Sequence, residues 1–145
     1  MRTPQFVASL LVVSLLTAIG CSRGDRNPTD IFDGVWIGWL SPQEPNTFDL
    51  TWNVWANRGV IIMTATQEGG DRALAEVKFT VTQETTDADG KKGLVLQTDR
   101  GQWRIVFGKD GESLGVYDTF GRHIGGFTYV TDTRSQRPED YHVTR

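Results

Sequence analysis

The sequence predicts an all-β domain: a single antiparallel meander barrel of about eight short strands. Three observations carry that expectation. Apolar and polar residues alternate with period two through most of the chain after residue 32. The alternating runs are separated by short clusters of turn residues, several of them Asp-Gly or Gly-Gly pairs that tolerate positive φ. No stretch of useful length shows a helical period, and sixteen glycines accompany many Thr and Val, as short strands and tight turns require. With 145 residues the chain suffices for one domain with one core and is too short for two ordinary ones.

Residues 1–20 have the form of a secretory leader. Arg2 supplies a positive start, and 6–16 is apolar except for Ser9 and Ser14, too short a run to span a bilayer as a stable helix. The run ends in Leu16-Thr17-Ala18-Ile19-Gly20-Cys21. This resembles the bacterial lipobox, in which a small residue precedes the Cys that takes a diacylglycerol; Ala18 stands where Leu is common. The resemblance implies that Cys21 becomes the acylated N-terminus of the mature protein and its link to the membrane. The alternative is an ordinary cleaved signal with an incidental Cys. Against it, Cys21 is the only cysteine in the chain, and a free thiol is a liability in an oxidising compartment. In Gram-negative lipoproteins Asp after the Cys resembles an inner-membrane retention signal, so Ser22 implies the outer membrane, facing the periplasm. Residues 21–31 hold Gly24, Asn27 and Pro28 and are expected to form a lipidated flexible tether.

The expected barrel domain covers 32–131. Its strands are placed at 34–40, 47–56, 60–67, 74–84, 93–98, 102–107, 113–118 and 124–131, and the connections at Ser41-Pro42, Asn57-Arg58-Gly59, Gly69-Gly70, Asp89-Gly90, Asp99-Arg100-Gly101, Asp110-Gly111 and Phe120-Gly121 supply the turns. In the second run, Phe48, Leu50, Trp52 and Val54 alternate with Thr47, Asp49, Thr51 and Asn53; in the third, Ile61, Met63 and Ala65 alternate with Ile62, Thr64 and Thr66. An even-length connection pairs Trp52 with Met63 and Thr51 with Thr64, so that apolar meets apolar; an odd one would set Trp52 against Thr64. The fourth run puts Ala75, Val77, Phe79 and Val81 inward and Glu76, Lys78, Thr80 and Thr82 outward. A polar tail, 132–145, containing Pro138, closes the chain.

At the start of the first strand Gly34-Val35-Trp36 resembles the Gly-x-Trp signature of the lipocalins and their calycin relatives. The resemblance spans 32–131 and implies a closed eight-strand barrel, with Trp36 plugging one end and a small apolar ligand held inside. No second lipocalin signature is evident, and the tail lacks the apolar period of a lipocalin C-terminal helix. Calycin-type barrels also include protease inhibitors, so a protein-binding module, an inhibitor or an envelope assembly lipoprotein using its outer surface, stands as the alternative.

The chemistry-bearing residues argue against catalysis. The only histidines, His123 and His142, have no Gly-x-Ser-x-Gly serine, and two distant histidines make a poor zinc site. Asp87-Ala88-Asp89-Gly90 has the start of a calcium loop, but Lys91 and Lys92 follow where oxygen ligands are needed, which leaves a hairpin turn. No cofactor is implied. The formal net charge is -3 and the Lys and Arg residues are scattered, which disfavours a nucleic-acid partner. The five tryptophans are more informative. Trp36, Trp52 and Trp103, with Met63, fall on inward positions and are the expected ligand contacts if the interior holds a cavity. Trp39 and Trp55 fall on the opposite parity. They lie under a loop or form an exposed partner surface, since exposed Trp is a common anchor of binding sites.

Overall fold

The computed structural model describes residues 22–41, 50–67, 70–134, 136–141 and 143. The leader, Cys21, the inward position proposed for Phe48 and the Gly69 turn lie outside the described residues.

Eight antiparallel strands close into a barrel in simple sequence order. They are β1 (Gly34–Leu40), β2 (Leu50–Trp55), β3 (Val60–Gln67), β4 (Gly70–Thr86), β5 (Lys92–Thr98), β6 (Gly101–Phe107), β7 (Ser113–Tyr117) and β8 (His123–Thr131). Closure leaves no sheet edge, because β1 pairs with both β2 and β8. The β2–β3 register is the even one: Trp52 faces Met63 and Thr51 faces Thr64. The connection is a single 3-10 turn, Ala56–Arg58, ended by Gly59 at φ 64°. No side chain fits at Gly59, since a Cβ there would run into the Phe79 carbonyl.

Two expectations change. The strands are not uniformly short: β4 has 17 residues. Its first half pairs with β3 and its second with β5, and bulges at Leu74 and Thr82 let it bend between the two neighbours. The segment expected to be a flexible tether is folded. Arg23–Asp25 forms a 3-10 turn and Pro28–Phe32 a short helix, α1. Asn27 caps α1 by accepting the Asp30 amide at 2.9 Å, and Pro28 occupies a first-turn position. The residues that look like breakers are therefore a helix start, and burial of Ile31 and Phe32 holds it in place.

α1 caps one end of the barrel, the end where β1 begins and β2, β6 and β8 finish. Phe32 lies edge-on to Trp52 (6.3 Å) and Phe79 (5.6 Å) and against Phe107 (6.3 Å). Trp36 sits beneath it, fully buried, donating from Nε1 to the Phe32 carbonyl at 3.0 Å. Trp36 is thus a core residue, and Ile31 and Phe32 share the plugging role assigned to it alone.

The tail also folds back. Arg134 donates to the Val54 carbonyl (2.8 Å) and pairs with Asp33 (3.1 Å), its guanidinium stands 5.1 Å from the Trp55 ring, and Tyr141 meets the same ring at 5.9 Å. On this side of β2 and β3, Asn53, Ile62 and Thr64 are buried although they point away from the core. Asn53 is satisfied by donating to the Ile62 carbonyl at 3.2 Å.

Candidate functional site

Inside the barrel, Trp52 from β2 stacks on Phe127 from β8 at 4.1 Å and runs parallel to Trp103 from β6 at 5.6 Å. These strands are not all neighbours, so their rings meet across the lumen and fill that layer. Trp36, Trp52, Met63 and Trp103 are all buried, as their inward parity requires. The Trp52 Nε1–H is buried with no acceptor among the described residues. Of the four expected ligand contacts, Trp103 lines a surface groove among the described residues.

That groove, of about 630 Å³, lies at the end of the barrel opposite α1. Its walls are Ser41 after β1, Arg100, Gly101 and Gln102 at the β5–β6 turn, and Asp118, Thr119, Phe120, Arg122, His123 and Ile124 at the β7–β8 turn; Trp103 is its most buried element. The β7–β8 turn is stiff for a local reason. Asp118 Oδ1 accepts the amides of Phe120 and Arg122, both at 2.9 Å, while Arg122 Nε donates to Asp118 Oδ2 at 2.7 Å. Desolvation alone would raise the Asp118 pKa, but the Arg122 and Phe120 amides and the Arg122 guanidinium outweigh it and hold the carboxyl below its ordinary value. The turn presents Phe120, 81% exposed, with the Arg122 guanidinium 5.3 Å from its ring.

His123 is held between Trp39 (5.4 Å) and Tyr117 (5.1 Å). Gly126 makes room for Trp39: a Cβ there would lie 3.1 Å from its indole nitrogen. Trp39 and Trp55 do not form one surface. Gly38 faces Leu50 and Gly34 faces Val54, which sets the two rings near opposite ends of the β1–β2 pair, about 20 Å apart at strand rise. Trp55 packs with the tail and Trp39 with His123, so both are half-buried.

The Asp87 loop is a turn: Asp87 Oδ1 accepts the amides of Asp89 (3.0 Å) and Lys91 (2.9 Å). Among the described residues no cluster of three His, Cys, Asp or Glu side chains is placed to hold a metal. Sequence reasoning did not single out Phe120, the most exposed large hydrophobic among the described residues. The available signal was a large aromatic inside Asp118-Thr119-Phe120-Gly121, a turn whose other members are polar or Gly. Comparison with protein-family models, with curated proteins and with solved structures finds no match for this chain.

Proposed function

We propose that this protein is a non-enzymatic lipoprotein of the bacterial cell envelope, anchored through acylated Cys21 to the outer membrane on its periplasmic side. It binds a small apolar ligand in the groove at the end of the barrel remote from α1. The lipobox-like run before Cys21 supports the anchor. The observation that carries the binding reading is the groove itself: a hydrogen-bonded turn holds Phe120 in water at a groove that Trp103 also lines. Two aromatics lining one groove, one exposed and one buried, offer an apolar contact surface. The ligand sits at the barrel's end, because aromatic rings occupy the lumen below Trp103.

Titration of the leaderless Cys21→Ser protein with N-phenyl-1-naphthylamine tests this. Saturable binding is expected, with energy transfer from Trp103 that Trp103→Phe reduces. Phe120→Ser should weaken binding by about 5–30-fold, equivalent to roughly 1–2 kcal/mol of lost apolar contact. Absence of saturable binding, or binding indifferent to Phe120→Ser, would sink this reading and favour a protein partner.

A further inference from the structure

We infer that the outer face of β7, β8 and β1 is a membrane-docking face, laid on the bilayer by the anchor. This rests on acylation of Cys21 as proposed above. Cys21 directly precedes Ser22, and from Arg23 onward the chain is fastened to the barrel. Arg23 Nε donates to the Gly111 carbonyl (2.9 Å), its Nη2 donates to the Ile31 and Asp33 carbonyls, and its Nη1 pairs with Asp132 (3.2 Å). Lys92 Nζ holds the carbonyls of Gly24 (3.0 Å) and Arg26 (2.7 Å). At most two residues of slack remain, about 7 Å of extended chain. The barrel surface near Ser22 is therefore held at the lipid headgroups.

That surface is distinctive in its chemistry. The strands β7, β8, β1 and β2 are adjacent around the barrel. Their sequences SLGVY, HIGGFTYVT, GVWIGWL and LTWNVW contain no Asp, Glu, Lys or Arg. The tail packs beside β2, which leaves β7, β8 and β1. Three large hydrophobic residues are exposed among the described residues, and two of them, Val130 (49%) and Ile37 (43%), lie on this face. Ile37 faces Thr128 across the β1–β8 ladder, two positions from Val130. The face is continuous with the anchor's exit: Gly111 holds Arg23, its neighbour Glu112 accepts the Tyr129 amide at 2.8 Å, and Val130 follows. A partly aliphatic wall whose strands carry no charged side chain suits the bilayer interface beside a lipid anchor, with exposed Arg26 and Asp132 at its anchor end left among the headgroups. Single exposed aliphatics are ordinary on soluble proteins; here two adjoin on one wall, close to the Arg23 segment that follows Cys21 in the chain. At the other end of the same face His123 and Ile124 border the groove, which brings the groove close to the lipid surface.

Hydroxyl-radical footprinting tests the face. The mature protein would be tethered through Cys21 to phosphatidylcholine vesicles, by its own acyl chains or by a maleimide phospholipid, and compared with Cys21→Ser protein in solution. Oxidation of Ile37 and Val130 should fall several-fold on tethering while Phe120 stays unchanged. Trp39, two positions from Ile37 on β1, should be protected on tethering as well, and in tethered Ile37→Glu/Val130→Glu protein that protection should disappear. Equal oxidation of Ile37 and Val130 with and without vesicles overturns the proposal. Concentration-dependent protection of the untethered protein also overturns it, and would assign the face to a second copy. Palmitate labelling of wild type against Cys21→Ser tests acylation separately, since leaderless protein, whose Cys21 keeps a free thiol, takes the maleimide tether independently of acylation in the cell.

Discussion

Arg23 ties more of the molecule together than any other charged residue in the N-terminal segment. It bonds three carbonyls, pairs with Asp132 and stacks its guanidinium 3.5 Å from the Tyr129 ring. Arg23→Gln keeps some polarity but loses the charge and the fork, and should cost about 2–3 kcal/mol in denaturant unfolding. Asp132 is the counter-group. The Tyr129 hydroxyl, donating at 2.6 Å, is the main cause that holds its carboxyl below the ordinary 3.8, with Arg23 and Arg26 adding to it. A depressed native pKa means that the unfolded state binds the proton first on acidification. The contribution is complete above pH 3.8 and is lost as pH falls through the native value. Asp132→Asn should therefore lower the unfolding midpoint at pH 7 and make much less difference near pH 2. A constant gap across that range would contradict this account.

Among the elements, the β2–β3 hairpin shows how side-chain alternation determines register. Pairing Trp52 with Met63 follows from placing apolar residues on one face, and the four-residue connection Ala56–Gly59 has the even length that parity demands. Gly59→Ala should destabilise by at least about 1 kcal/mol, since it places a Cβ at positive φ and against the Phe79 carbonyl. A thermal melt unchanged by this substitution would mean that the turn relaxes. In α1, Phe32→Ala removes a fully buried ring touching Trp52, Phe79 and Phe107 and should cost about 3–5 kcal/mol. Residues 22–33 escaped recognition because five helical residues carry no measurable period. Their signal was only Asn27-Pro28 followed by the apolar pair Ile31-Phe32.

For the whole molecule, α1 and the groove mark opposite ends of the barrel axis. The tryptophans report on it. Trp36 and Trp52 are fully buried, whereas Trp39 and Trp55 are half-buried. Acrylamide should therefore quench the latter pair and leave a protected fraction that belongs to the core. Phe32→Ala should convert part of that fraction to quenchable emission, because α1 closes the barrel above Trp36 and Trp52. If acrylamide reached all five tryptophans of the wild type equally, the barrel would not be capped in this way.

Strand number, order of pairing and the inward set of residues were determined by the sequence alone. A period of two is a local property, and in a meander each strand pairs with its sequence neighbours, so Trp52, Met63, Val77 and Phe107 could be placed without distant contacts. Only the tertiary structure decided whether inward meant cavity or core, because the meeting of Trp52, Trp103 and Phe127 depends on barrel curvature and not on any one strand. It alone decided the fate of the outward tryptophans, since parity states which side Trp55 takes but not that Tyr141 and Arg134 return to cover it. The groove likewise arises where the β5–β6 and β7–β8 turns come together, two segments whose juxtaposition exists only once the barrel has closed.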